Sequence, residues 1–191
     1  MDTSLFDKAA QFAIEAHRGA ERRGKGFPYI IHPMEAASIV ATITNDPEML
    51  AAAILHDTVE DTDVTIEQIE ELFGPRVARL VQVDTAKKGA TWRARREVQI
   101  EKFRQTDRDC QIVVLSDKLS NLRAISLDYK AMGDALWSRF RAPEGMNDIE
   151  WYYRSIADAL AKLADTAPYQ EFLSLLEETF HTPKQFSKTG E

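Results

Sequence analysis

The stretch DCQIVVLSDKLSNLRAISLDY, residues 109–129, decides the fold class. Wound as a helix, it carries Val113, Val114 and Ala124 on one side and Ile112, Leu115, Leu119 and Leu122 on the other, so it is apolar on both faces and belongs in the interior. Such a helix must be enclosed, and helical periodicity covers nearly all of the flanking chain. Residues 4–18 set Leu5, Phe6, Ala9, Phe12, Ala13 and Ala16 on one stripe, and the Gly-rich, basic stretch 19–27 ends that helix. Pro28-Tyr29-Ile30-Ile31 reads as extended, Pro33 favours the start of a helix over 33–44, and another helix begins near Asp46-Pro47 and runs through His56-Asp57. Thr65 and Gln68 form a capping-box pattern for a helix over 65–73, and Gly74-Pro75 separates it from one over about 75–86. Further helices are expected over 92–105, 148–164 and from Pro168 to about Phe180, with a loop at 87–90 and a mobile tail over 183–191. No segment alternates as a strand does, so the expected class is all-α.

A chain of 191 residues is long enough for one domain with a real core and leaves no room for a second catalytic module. It has no apolar run fit to span a membrane and no cleavable signal, which makes the cytoplasm the expected location. The single cysteine, Cys110, adjoins Ile112-Val113-Val114-Leu115 and reads as a buried structural thiol. A net charge of −7 argues against broad nucleic-acid binding. Two basic runs stand out locally: Arg18, Arg22, Arg23 and Lys25, then Lys87, Lys88, Arg93, Arg95 and Arg96. They are solvated faces unless one borders a site, where it would suit a ligand with several phosphates.

The chemistry centres on AILHDTVEDT, residues 53–62, where an apolar segment ends in ionisable groups. On a continuous helix His56 would stack on Glu60 and Asp57 on Asp61. A helix that turns polar on reaching solvent is the competing explanation, so outside partners are needed. Asp117 sits on an apolar face of the interior helix, with Asn121 one turn on. An unpaired carboxylate there costs several kcal/mol or so, and it requires a cation. Arg, Lys or a metal could serve, and because neither Lys118 nor Arg123 is expected to project from that face, a metal is favoured. His32, at a helix entrance, could turn its ring into the same cleft. Two imidazoles and two carboxylates without a thiolate suit Mn²⁺, Fe²⁺, Zn²⁺ or Mg²⁺.

The order His32, His56-Asp57, Asp117 resembles the H…HD…D pattern of the HD-domain phosphohydrolases, an all-helical superfamily. Three longer blocks, GFPYIIHP at 26–33, HDTVEDT at 56–62 and LSDKLSNL at 115–122, are similar to the hydrolase domain of RelA/SpoT enzymes, which removes the 3′-pyrophosphate from ppGpp and pppGpp. The likeness covers roughly residues 5–165. With no room for synthetase and regulatory domains, the chain resembles the stand-alone small alarmone hydrolases, a group that includes the metazoan SpoT homologue.

The resemblance implies an HD-domain helical bundle over residues 1–182, with a core at about 5–165 plus a C-terminal helix. It implies a divalent metal, Mn²⁺ in the family, held by His32, His56, Asp57 and Asp117. Glu60 and Asp61 would activate the attacking water, Arg22 and Arg23 would bind the nucleotide's phosphates, and Asn121 would contact the sugar. Base-reading positions fall near Ala124 and Leu127, where small apolar side chains separate guanine from adenine poorly. The resemblance implies a small guanosine alarmone as substrate, and these positions keep pppApp or the 2′-phosphate of NADPH as alternatives, with a nucleotide-binding sensor as the non-enzyme alternative. The chain departs from the family at Val83-Asp84-Thr85-Ala86-Lys87 and in the aromatic region 137–154, whose rings are expected mainly to pack helices. The oligomeric state is left open by the sequence.

Overall fold

A computed structural model describes residues 3–83 and 91–180. The described chain is all-α, and its only β pairing is an isolated bridge between Glu21 and Pro28. In order, the helices are α1 (Ser4–Ala16), α2 (Ile31–Ala41), α3 (Pro47–Leu55), α4 (Thr58–Asp61), α5 (Ile66–Phe73), α6 (Pro75–Gln82), α7 (Trp92–Gln105), α8 (Arg108–Met132), α9 (Met146–Ala159) and α10 (Ala167–Phe180). The expected loop at 87–90 and the tail at 183–191 lie outside the described residues, as do Asp84 to Lys87 of the departing stretch.

Helix α8 is the interior helix that its two apolar faces require. From Cys110 to Ser120 every residue is buried, and α2, α3 and α10 pack against it while α6 and α7 touch it more lightly. α3 bridges α1, α2 and α6, and α9 joins α7 to α10. α3 is nucleated as its sequence requires: the Asp46 carboxylate accepts from the Glu48 and Met49 amides, and Pro47 occupies a first-turn position whose N–H would have no helical partner. The Thr65–Gln68 capping box forms in both directions. Gly74 then turns the chain into α6 at φ 91°, a left-handed conformation that disfavours any residue with a Cβ.

Three expectations are corrected. Pro28–Ile31 is not an extended segment: Pro28 closes the isolated bridge, Tyr29 and Ile30 turn, and α2 starts at Ile31, so Pro33 sits third in the helix. The helix entering His56-Asp57 does not run through it. α3 stops at Leu55, His56 caps it, and Asp57 begins the separate one-turn helix α4. Thr58 helps to end α3 by donating its hydroxyl to the Leu55 carbonyl at 2.7 Å, competing with the backbone for that acceptor. The helix expected over 148–164 ends at Ala159 and gives way to a short 3₁₀ turn at Ala161–Leu163.

The rings of the 137–154 region pack the bundle, as their number suggests. Trp137 stacks on Phe180 with centroids 5.9 Å apart, Tyr153 lies against Phe172, and Arg93 covers the face of Trp151. Cys110 is buried at the start of α8, and burial, with the nearby Asp107 carboxylate, pushes its thiol pKa up to about 11.

Candidate metal centre and active site

The end of α3, the first turn of α2 and the middle of α8 bring His32, His56, Asp57 and Asp117 together. One ligand atom from each lies within 4.8 Å of all the others. His32 Nε2 is 3.0 Å from Asp117 Oδ1 and 3.4 Å from Asp57 Oδ2. His56 Nε2 is 3.0 Å from Asp57 Oδ2, 3.5 Å from Asp117 Oδ1 and 3.3 Å from His32 Nε2. Asp57 is the most accessible of the four, with 17% of its side chain exposed, so the cluster can be approached from its side.

The donor set fits a cation. His56 Nδ1 lies 2.8 Å from the Ala53 carbonyl, which can only accept, so Nδ1 carries the hydrogen. A neutral His56 therefore turns a lone pair on Nε2 toward two carboxylate oxygens, and the approach is repulsive until a proton or a metal ion lies between them. Without metal the charges divide accordingly. Burial opposes charging of His56, but Asp57 and Asp117 outweigh it and hold the imidazole well above its ordinary pKa. Burial likewise opposes ionisation of Asp57, and the charge on His56, with both histidine rings beside the carboxylate, brings it below the usual carboxylate range. Asp117 is also held low against burial, chiefly by the Lys118 charge and then by the histidines.

That lysine is a correction. Lys118 is buried and its Nζ lies 2.7 Å from Asp117 Oδ2, because its long stem folds back between adjacent helix faces. Arg123, the other excluded partner, indeed points elsewhere, to Glu35 and Glu171. Asp117 thus divides its oxygens. Oδ2 takes the lysine, while Oδ1 faces the histidines and accepts from Asn121 Nδ2 at 2.5 Å.

Arg22 reaches this group by donating to Asn121 Oδ1, with its guanidinium 5.5 Å from the Tyr29 ring centroid. Of the first basic run, then, Arg22 borders the cluster, Lys25 pairs with Asp128, and Arg18 pairs with Glu15. Arg23 is exposed and has no polar partner among the described residues. In the second run Lys87 and Lys88 lie outside the described residues, and Arg93 and Arg96 contact α9. Leu127 is 64% exposed on α8 and Ala124 is half-buried.

Glu60 and Asp61 are exposed on α4 and line a cleft of about 990 Å³ together with Tyr29 and His17. None of the four clustered residues lines that cleft; Tyr29, which does, reaches the cluster through its hydroxyl on Asp57 Oδ2. The break at Asp57 removes the two continuous stacked rows, although the Asp61 amide still donates to the Asp57 carbonyl at 2.9 Å, keeping one turn between them. Both acids lie in the first turn of α4, the helix end that favours negative charge.

Sequence reasoning quoted Tyr29 but gave it no role. Its hydroxyl donates to Asp57 Oδ2 at 2.6 Å, and burial with the Asp57 charge raises the phenol far above its ordinary pKa, so it stays a donor. The signal was its place three residues before His32. His17, whose ring lies 4.9 Å from that of Tyr29, was also missed, and its buried Nε2 has no partner among the described residues.

Residues 9–147 match the HD domain family. This chain belongs to the HD-domain family. Within the HD domain fold, a solved structure of a metazoan ortholog of SpoT, described as hydrolysing ppGpp, superposes with a TM-score of 0.77 at 28% identity, covering 93% of this chain and 96% of that one. The human guanosine-3′,5′-bis(diphosphate) 3′-pyrophosphohydrolase MESH1 is 40% identical over 141 residues, 72% of this chain and 76% of the relative. The GTP pyrophosphokinase rsh of Brucella ovis is 35% identical over 133 residues, 66% of this chain but only 18% of the relative's length. This HD-domain chain therefore spans less than a fifth of that larger enzyme. None of its described helices is long and apolar enough to cross a membrane.

Proposed function

We propose that this protein is a divalent-metal-dependent hydrolase that removes the 3′-pyrophosphate of guanosine alarmones, converting ppGpp or pppGpp into GDP or GTP and pyrophosphate. The observation that carries the reading is the meeting of two imidazole nitrogens and two carboxylates around a point that needs a cation. The names of the human and metazoan relatives supply the substrate class.

In this reading His32, His56, Asp57 and Asp117 hold the metal, which we take to be Mn²⁺. When bound, it supplies Lewis acidity toward the phosphate and lowers the pKa of water. Glu60 and Asp61, on the cleft wall, take the proton of the attacking water. That water forms a bond to the phosphorus next to the 3′ oxygen, the bond from phosphorus to the 3′ oxygen breaks, and the proton passes to the departing hydroxyl. Arg22 and Arg23 bind phosphate, Arg22 from its place beside Asn121, and Asn121 meets the sugar. Tyr29 holds Asp57 in orientation, as outer partners of metal ligands do. We further take residues 1–182 as one hydrolase unit, working in the cytoplasm on a small nucleotide rather than on nucleic acid.

Purified protein loaded with Mn²⁺ should release pyrophosphate and GDP from ppGpp. A metal-loaded sample with no turnover above buffer rejects the reading. Rates on pppApp and NADPH in the same panel decide the base and the phosphate position. Glu60→Gln should abolish turnover while retaining Mn²⁺ and nucleotide affinity, and wild-type rates in that variant would remove Glu60 from the mechanism.

A further inference from the structure

A file of polar side chains runs from His32 to the protein edge, alternating between facing helices. His32 and Glu35 lie three apart on α2, and Ser120 and Arg123 lie three apart on α8, so each pair projects from one side of its helix. His32 Nδ1 is 2.7 Å from Ser120 Oγ. Ser120 Oγ donates to Glu35 Oε2 at 2.7 Å. The other oxygen of Glu35 accepts from Arg123 Nη1 at 2.9 Å, and Arg123 is clamped from behind by Glu171 of α10 through bonds of 2.6 and 2.7 Å. His32 and Ser120 are buried, whereas Glu35 and Arg123 are about one-third exposed, at 37% and 34% of their side chains.

The direction of these bonds follows from proton count. A carboxylate paired with arginine only accepts, and a serine hydroxyl has one hydrogen. Ser120 gives that hydrogen to Glu35, so its oxygen must accept from His32, and the hydrogen of a neutral His32 is on Nδ1. Without the file, Ser120 could donate to Nδ1 instead, and His32 would turn an Nε2–H toward Asp57 and Asp117, where it blocks ligation.

We propose that Ser120 and Glu35 are positioning residues that fix His32 in its Nδ1–H tautomer and so present the Nε2 lone pair to a divalent metal. The inference rests on the metal-dependent reading above and adds the device that prepares one ligand. Arg123, itself held by Glu171, aims the Glu35 carboxylate, which ties the order of the cluster to the docking of α10.

The test is a Mn²⁺ titration of the full chain at fixed pH, followed by electron paramagnetic resonance, with melting of the metal-free protein as a second readout. Ser120→Ala should weaken Mn²⁺ binding by about 10- to 100-fold, the range seen when outer partners of metal ligands are removed. Ser120→Thr, which keeps the hydroxyl, should restore it. Glu35→Leu, at a position about one-third exposed, should weaken binding in the same direction. If wild type binds Mn²⁺ and both Ser120→Ala and Glu35→Leu bind it equally well, with only the melting temperature lowered, the file is a helix clasp and the proposal is wrong. Failure of wild type itself to bind Mn²⁺ would overturn the metal-dependent reading instead.

Discussion

Lys118→Met isolates the pairing that sequence reasoning dismissed. The substitution keeps most of the stem's volume and removes the ammonium that sits 2.7 Å from Asp117 Oδ2, where the lysine side chain is 10% exposed and the aspartate 5%. At that distance and an effective dielectric of about 20 the Coulomb attraction is about 6 kcal/mol. Part of it offsets the cost of burying the lysine, and breaking one side of such a pair costs about 3–5 kcal/mol net. For a chain of this size that lowers the melting temperature by roughly 6–20 °C. The loss should be seen in EDTA and be smaller with saturating Mn²⁺, because the metal takes over neutralisation of Asp117. By thermodynamic reciprocity, the difference between the two losses must reappear as tighter Mn²⁺ binding by the variant. Parallel melts and a Mn²⁺ titration check it. Equal losses in the two conditions, with unchanged affinity, would refute the idea that lysine and metal share one carboxylate.

Tyr29→Phe removes a hydrogen bond to an ionised group and should cost about 1.5–3 kcal/mol in urea denaturation of the metal-free protein, with weaker Mn²⁺ binding alongside. In EDTA, stability should be greatest between the ordinary carboxylate and imidazole values, about pH 4 to 6.5. His56, held high chiefly by Asp57 against burial, contributes below its unfolded value and loses that contribution as pH rises through its raised folded value. Asp57 and Asp117, held low, contribute above the ordinary carboxylate value and lose that contribution as pH falls through their depressed ones. A melting profile from pH 3 to 9 without this maximum would contradict the charge arrangement. Leu122→Ala, at a fully buried position of α8, should cost about 2–5 kcal/mol by chemical denaturation and leave Mn²⁺ affinity unchanged.

The all-α bundle and its central helix were legible because burial on both faces of residues 109–129 leaves a plain hydrophobic record. The four clustered residues were legible as chemical types, and the family pattern linked them across 85 positions, from His32 to Asp117. What escaped was local geometry. Nothing in the AILHDTVEDT run signals a break as Gly or Pro would, since Thr58 ends α3 through its hydroxyl, a competition invisible to periodicity. Lys118 was misread because face counting follows Cβ directions, while a long side chain can return to the neighbouring face. Glu35 and Ser120 carried no signal at all, because their roles depend on how α2 meets α8.

The break between α3 and α4 separates two kinds of robustness in the same site. His32 and Asp117 lie on buried stretches of α2 and α8 and His56 caps α3, whereas Glu60 and Asp61 are exposed on the one-turn α4, whose N-cap is Asp57. Short, solvent-facing turns open at a small fraction of the global unfolding free energy. Mild denaturant or heat should therefore silence turnover first, with the metal still held by His32, His56 and Asp117 but more weakly as Asp57 loosens, so that loss of activity and loss of the ion become two events with different midpoints.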